Sequence, residues 1–214
     1  MTPAEAAIKV KARGYKWVAY QLNDETLGLV QRLNCPSFKA AFQAQGIIFT
    51  CWMTRHFTPQ LVRQYVTEFK PDGIILEAEV PSEWWNPATG DVEPKPEAVD
   101  WVDVIFHLAD IDIPKAIVSN FAPFVHADDK DTEPIESAPW PEKAKPLIED
   151  GWAYISENFI TESPNATPQN TDWYAKTKLG WPRTQPMIEA WHVGDYGDLS
   201  GFQNVSHWDL GNVA

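Results

Sequence analysis

Six short apolar runs alternate with segments of helical character, and this alternation constrains the fold more than any other feature. The runs cover residues 17–20, 47–52, 74–76, 116–118, 152–155 and 185–190, and 204–208 is a candidate seventh. Apolar runs of this length, bounded by turn residues, read as strands buried on both faces. The intervening segments carry helix signals. Thr2-Pro3-Ala4-Glu5 combines a capping residue, proline at the first helical position and a glutamate three residues after the cap. Thr58-Pro59 and Thr167-Pro168 open further helices, and Gly14, Gly46 and Gly180 stand at stops. The spacing predicts helices over 3–13, 37–45, 59–69, 98–109, 142–150 and 168–179. Pro146 interrupts the fifth.

Alternating strands and helices imply a parallel sheet covered by helices. Such units either close into a barrel or spread into an open doubly wound sheet. An open sheet gathers its polar groups at one crevice. Here nearly every strand ends in polar residues, which favours a TIM-like (β/α) barrel. At 214 residues the chain is short for eight full units, so a single barrel domain over 1–214 with degenerate last units is expected. There is no Gly-rich phosphate loop.

The third run is the centre of the functional reading. Lys70-Pro71-Asp72-Gly73 is a turn feeding Ile74-Ile75-Leu76, and the run ends in Glu77 and Glu79. Alternation along a strand puts those two acids on one face. Glu157 and Glu189 end the fifth and sixth runs. Cleavage of a glycosidic bond needs two carboxyl groups across the sugar, one as acid and one as nucleophile or base. Burial of Glu77 deeper than Glu79 would raise its pKa and suit an acid. Trp52, Trp85 and Trp191 offer flat apolar faces to a sugar ring, while Arg55, Asn120 and Asn158 offer hydrogen bonds. The same carboxylates also serve as salt-bridge partners or solvated strand ends in many proteins.

Other chemistries find less support. The net charge of −13 argues against nucleic acid and anionic membrane surfaces as partners. No apolar stretch is long enough to span a membrane, and the first residues lack a signal-peptide pattern. Cys51 reads as a reduced core residue and Cys35, before Pro36, as a loop residue. No Cys/His spacing suggests zinc, and the acidic 126–131 segment lacks the alternating aspartates of a calcium loop, so no metal or other cofactor is expected. His107 reads as a packed histidine. A serine hydrolase lacks its elbow motif, and a lyase or aldolase lacks a strand-end lysine.

Two resemblances add to this. The segment Asp72-Gly73-Ile74-Ile75-Leu76-Glu77-Ala78-Glu79 resembles the acidic strand of TIM-barrel glycoside hydrolases, including lysozyme-like phage endolysins with an Asp-x-Glu pair. Glu79 matches the glutamate of that pair, but Glu77 stands where the family has aspartate. Residues 151–158, Asn165-Ala166-Thr167-Pro168-Gln169-Asn170, Leu179-Gly180-Trp181-Pro182 and Tyr196-Gly197-Asp198-Leu199-Ser200, together about residues 150–200, look similar to uncharacterised actinobacteriophage proteins. These likenesses imply a virion location and a barrel that serves architecture or binds a host surface glycan, in contact with other virion proteins. The alternative they imply is an active hydrolase of cell-wall or capsule polysaccharide.

Overall fold

The computed structural model describes residues 1–22, 26–53, 58–77, 84–85, 92–93, 101–119, 140–158, 167–189, 198–202 and 206–208. The elements are α1 (Pro3–Ala12), β1 (Trp17–Leu22), α2 (Thr26–Ala44), β2 (Ile48–Met53), α3 (Pro59–Phe69) and β3 (Gly73–Glu77). They continue with β4 (Trp84–Trp85), β5 (Val92–Glu93), α4 (Trp101–Leu108), β6 (Lys115–Ser119), α5 (Trp140–Glu149) and β7 (Ala153–Asn158). Last come α6 (Pro168–Tyr174), a π-helical turn (Ala175–Leu179), β8 (Thr184–Glu189) and β9 (Ser206–Trp208). All six expected strands are present, and the candidate seventh is β9. The fold is α/β, with strands and helices alternating and every described neighbour in the main sheet running parallel.

Two compact units share the chain, one holding Met1–Glu77 and Asp103–Ala116, the other β4, β5 and the described residues from Ile117 onward. No shift in composition marks this division, which falls within β6. In each unit the strands neighbour one another in chain order: β1-β2-β3 in the first, which also holds the first residues of β6, and the rest of β6 with β7-β8-β9 in the second.

In the first unit, one face of the strands packs against α2. Tyr20, Phe38, Phe42 and Phe49 form a ring cluster with centroids 5.2–6.3 Å apart. Such pairs add to the burial of their own area. The α2 helix is tied to α3 by Arg32, whose guanidinium donates to the Tyr65 hydroxyl at 2.9 Å. Lys39 reaches the end of α3, donating to the carbonyls of Phe69 at 3.0 Å and Lys70 at 2.6 Å. Lys70 itself turns left-handed, with φ 46°, and closes α3 on the Val66 carbonyl. Val62, Tyr65, Val66 and Phe69 supply the buried stripe of α3.

The turn at Asp72 fixes the β2–β3 register. Its amide donates to the Phe49 carbonyl at 2.9 Å, and its carboxylate accepts from the Phe49 amide at 2.8 Å. Gln43 of α2 donates to the same carboxylate at 3.1 Å. Gly73 follows because a side chain there would crowd its neighbours. A Cβ would lie 3.0 Å from the Pro114 carbonyl and 3.4 Å from Thr50. That closeness lets the Ile74 amide donate to Pro114 at 3.0 Å, so the lead into β6 joins β3.

The second unit is built around Trp181, whose indole N–H donates to the Trp152 carbonyl at 3.0 Å. Its ring lies 5.1 Å from that of Tyr154. Ala144 and Leu147 of α5 are fully buried. Asp172 of α6 accepts from the Thr184 hydroxyl at 2.7 Å and so holds the start of β8.

Five expectations change. The second helix begins at Thr26, not 37, and runs through Pro36. Proline removes a helical hydrogen bond and crowds the preceding turn, but α2 retains its course because Cys35 and Phe42 on its inner side are buried. Cys35 is therefore a core helix residue and not a loop residue. Pro146 likewise lies inside α5 without ending it. The helix expected over 168–179 finishes as a π turn. Residues 84–85 and 92–93, read as loop, pair as an antiparallel hairpin.

Candidate functional site

The C-terminal ends of the parallel strands carry the expected site. In the second unit, Glu157 of β7 is in register with Met187 of β8, which is in register with Ser206 of β9. Glu189 lies two residues beyond Met187, beside Trp208. With neighbouring strands about 4.8 Å apart and a rise of about 3.3 Å per residue, the Cα atoms of Glu157 and Glu189 are about 8 Å apart. The two positions have the same parity in the ladder. In the first unit, Glu77 ends β3, two residues after the buried Ile75. For Glu77, Trp85, Glu157 and Glu189 the backbone is described. Arg55, Glu79, Asn120 and Trp191 lie outside the described residues.

Two expected contact residues are instead interior. Trp52 is 7% exposed. It sits in the register row Gln21–Trp52–Ile75 across the first three strands. At that burial Trp52 packs in the core of the first unit. Asn158 is 0% exposed. Its amide group donates to the Ser156 carbonyl at 2.7 Å and the Ser156 hydroxyl oxygen at 2.9 Å. Its own oxygen accepts from the Thr171 hydroxyl at 2.7 Å. Thr171 comes from α6, so the face of β7 bearing Ser156 and Asn158 is the one α6 covers. Burying an amide is costly unless its hydrogen bonds are satisfied, and here α6 supplies the partner. Asn158 thus fixes the end of β7 between two glutamate-bearing positions of the ladder but offers nothing to a ligand.

Sequence reasoning did not single out Thr171 or Asp72. The signal for Thr171 is that α6, Pro-Gln-Asn-Thr-Asp-Trp-Tyr, offers no aliphatic side chain to the strand it covers. A helix of that kind has to meet a polar strand face, and Ser156 and Asn158 provide it.

His107 also differs from its reading as a packed core histidine. It is half-buried and lines a shallow open groove of about 480 Å³ with Gln60, Arg63, Gln64, Thr67 and Glu68. Arg63 spans the groove, donating to the His107 carbonyl at 2.8 Å and gripping both oxygens of Asp110. This pairing holds the Asp110 carboxyl below the usual range and the Arg63 guanidinium above its own. Both side chains are open to solvent, at 42% and 65% exposed, so the pair is a surface clamp between α3 and the end of α4 and contributes little to stability. Among the described residues, no group of three or more His, Cys, Asp or Glu is arranged to hold a metal ion, and no helix is long and apolar enough to cross a membrane.

No protein-family model matches this chain, and no curated protein sequence matches it.

Proposed function

We propose that the chain is a TIM-like (β/α) barrel module of a phage particle that recognises a host surface glycan at the C-terminal ends of its strands. The observation that carries the glycan reading is the Glu157–Glu189 arrangement: two carboxylates on adjacent parallel strands, at one parity, about 8 Å apart at Cα. Strands that neighbour one another in chain order support barrel topology, because a doubly wound sheet reverses its order at a switch point. Carboxylates on such a rim accept hydrogen bonds from sugar hydroxyls. The virion setting rests on the sequence likeness over about residues 150–200.

The same pair of positions admits a second reading, hydrolysis of that glycan. Carboxyl groups about 5–10 Å apart serve retaining or inverting glycosidases. One would protonate the glycosidic oxygen and the other would attack the anomeric carbon or activate water. Glu77 and Glu79 are the further candidates from β3 and beyond.

Purified host cell-wall polysaccharide separates the two. Calorimetric binding that weakens at least tenfold in Glu157→Gln and Glu189→Gln, without release of new reducing ends, is the expected outcome. Release of reducing ends that disappears in either variant would replace recognition by hydrolysis. Binding and release both unaffected by the two substitutions would remove the strand ends from the site altogether.

A further inference from the structure

The positive charge of this acidic chain is gathered at one place. Residues 1–77 carry nine Lys and Arg against six Asp and Glu, and residues 78–214 carry eight against twenty-four. The net charge is +3 through the end of β3 and −16 beyond it. Asymmetry of this kind bears on what a chain can bind. Within the first part, Lys9, Lys11, Arg13 and Lys16 fall in a stretch, residues 6–23, that holds no acid. All four are exposed. The fold keeps them together: Lys9 and Lys11 lie in the last turn of α1, Arg13 caps it, and Gly14, with φ 82°, turns the chain toward Lys16 and β1. The Ile48 amide donates to the Lys16 carbonyl at 3.0 Å and so brings the start of β2 beside the basic turn. Ile48 and Ile8 of α1 are each more than half exposed. Two acids border this surface and both are engaged, Glu5 by the Thr2 amide and Asp72 by the Phe49 amide.

We propose that this basic foot is a self-assembly surface, which docks head to tail on the acidic surface that residues 78–214 give a second copy of the chain. The foot lies at the N-terminal ends of β1 and β2, away from the strand-end glutamates. Along the ladder of the first unit, Glu77 is six rows beyond Trp17, about 20 Å at 3.3 Å per row. Like charge prevents two feet from meeting each other, whereas a second copy always brings the complement. The net charge of −13 on each copy does not forbid the contact. At physiological salt, charges more than about 8 Å apart are largely screened, so the groups facing each other decide. The exposed isoleucines favour a protein over a phosphate polymer, because a protein interface buries apolar side chains at its centre. A bilayer surface takes a broad apolar helix face, and α1 shows it Ile8 while Ala7 is turned inward. A contact between unlike surfaces leaves each copy with one of each kind to offer, so assembly continues into a ring or a filament.

Sedimentation velocity of the full chain tests this. Assemblies that grow with concentration are expected at about 0.15 M salt, with an association constant at least tenfold lower at about 1 M, where the screening length falls to about 3 Å. Carbodiimide cross-linking of a mixture of light and heavy-isotope chains should join Lys9, Lys11 or Lys16 of one copy to an Asp or Glu after residue 77 of another. The double variant Lys11→Glu with Lys16→Glu should assemble at least tenfold more weakly. Added in excess to wild type it should shorten the assemblies, since it keeps the acidic surface while its foot is spoiled. A monomer at every concentration, assembly indifferent to salt and to the double variant, or intermolecular cross-links that avoid the foot would overturn the proposal. So would a chain that stays monomeric while its foot binds polyphosphate or phosphatidylglycerol vesicles. If the double variant fails to fold, the salt series and the wild-type cross-links decide without it.

Discussion

The two places where a helix seals a strand in this molecule use opposite chemistry. Against β2, α2 lays down an apolar face: Phe42, stacked beside Phe38, meets Phe49, and Cys35 and Cys51 are both buried. Against β7, α6 lays down a hydroxyl: Thr171 meets Ser156 and Asn158, all three buried. The first contact is non-directional, and its strength grows with the apolar area removed from water. The second depends on each donor facing an acceptor, and its failure is expensive because a polar group is left dry. The aromatic seal therefore tolerates small displacements at a cost in packing. The polar seal holds one strand position and tolerates none, which suits a strand end carrying Glu157.

The comparison can be broken at its strongest point first. Phe49→Ala empties the centre of the ring cluster, where Phe49 is fully buried, and should cost about 3–5 kcal/mol in urea unfolding. A loss under about 1 kcal/mol would show that the cluster refills and that area does not govern this seal. Thr171→Val keeps the shape of the second seal while depriving the Asn158 oxygen of its donor, for an expected loss of about 1–3 kcal/mol. If Thr171→Val matched wild type in stability, the directional account of α6 would be wrong. Tyr20→Phe should be mildest, about 1 kcal/mol, for the hydroxyl that donates to the Gln31 carbonyl at 3.0 Å.

Tyr20 adds a pH signature. Burial pushes its phenol up to about 12 from an ordinary value near 10. The folded state holds the proton more tightly, so the stabilisation is full below pH 10 and is lost as the pH rises toward 12. A Tyr20→Phe chain should show a shallower alkaline decline across that interval in a pH series of unfolding midpoints. Identical slopes would assign the decline to other groups.

The strands were legible because continuous apolar runs between turn residues have few other uses, and the helix starts because Thr2, Thr58 and Thr167 each accept from an amide three residues on. Local breakers misled where long-range packing overrode them: Pro36 reads as a boundary, yet the burial of Cys35 and Phe42 keeps the helix continuous around it. The strand-end site was legible as a set of acids but not in its depth. Trp52 looked like a rim aromatic because it lies near the end of its strand. Nothing local says that Gln21 and Ile75 flank it in the sheet. Asn158 could have been placed from alternation, since Tyr154, Ser156 and Asn158 share one face. The Asp72 carboxylate bonds an amide 23 residues away, a distance at which sequence pattern carries no signal.

The Ile74–Pro114 hydrogen bond has a consequence for how the protein can be made or divided. The first unit is not a segment of chain, because β3 is completed by residues that follow it by some forty positions. During synthesis, β1, β2 and β3 leave the ribosome well before their remaining neighbour exists. A protein cut after Glu77 would present Gly73 and the Ile74 amide along an unpaired strand margin, open to pairing with another chain. Dissection of this molecule into working halves should therefore follow the contacts and carry residues 103–116 with the first seventy-seven.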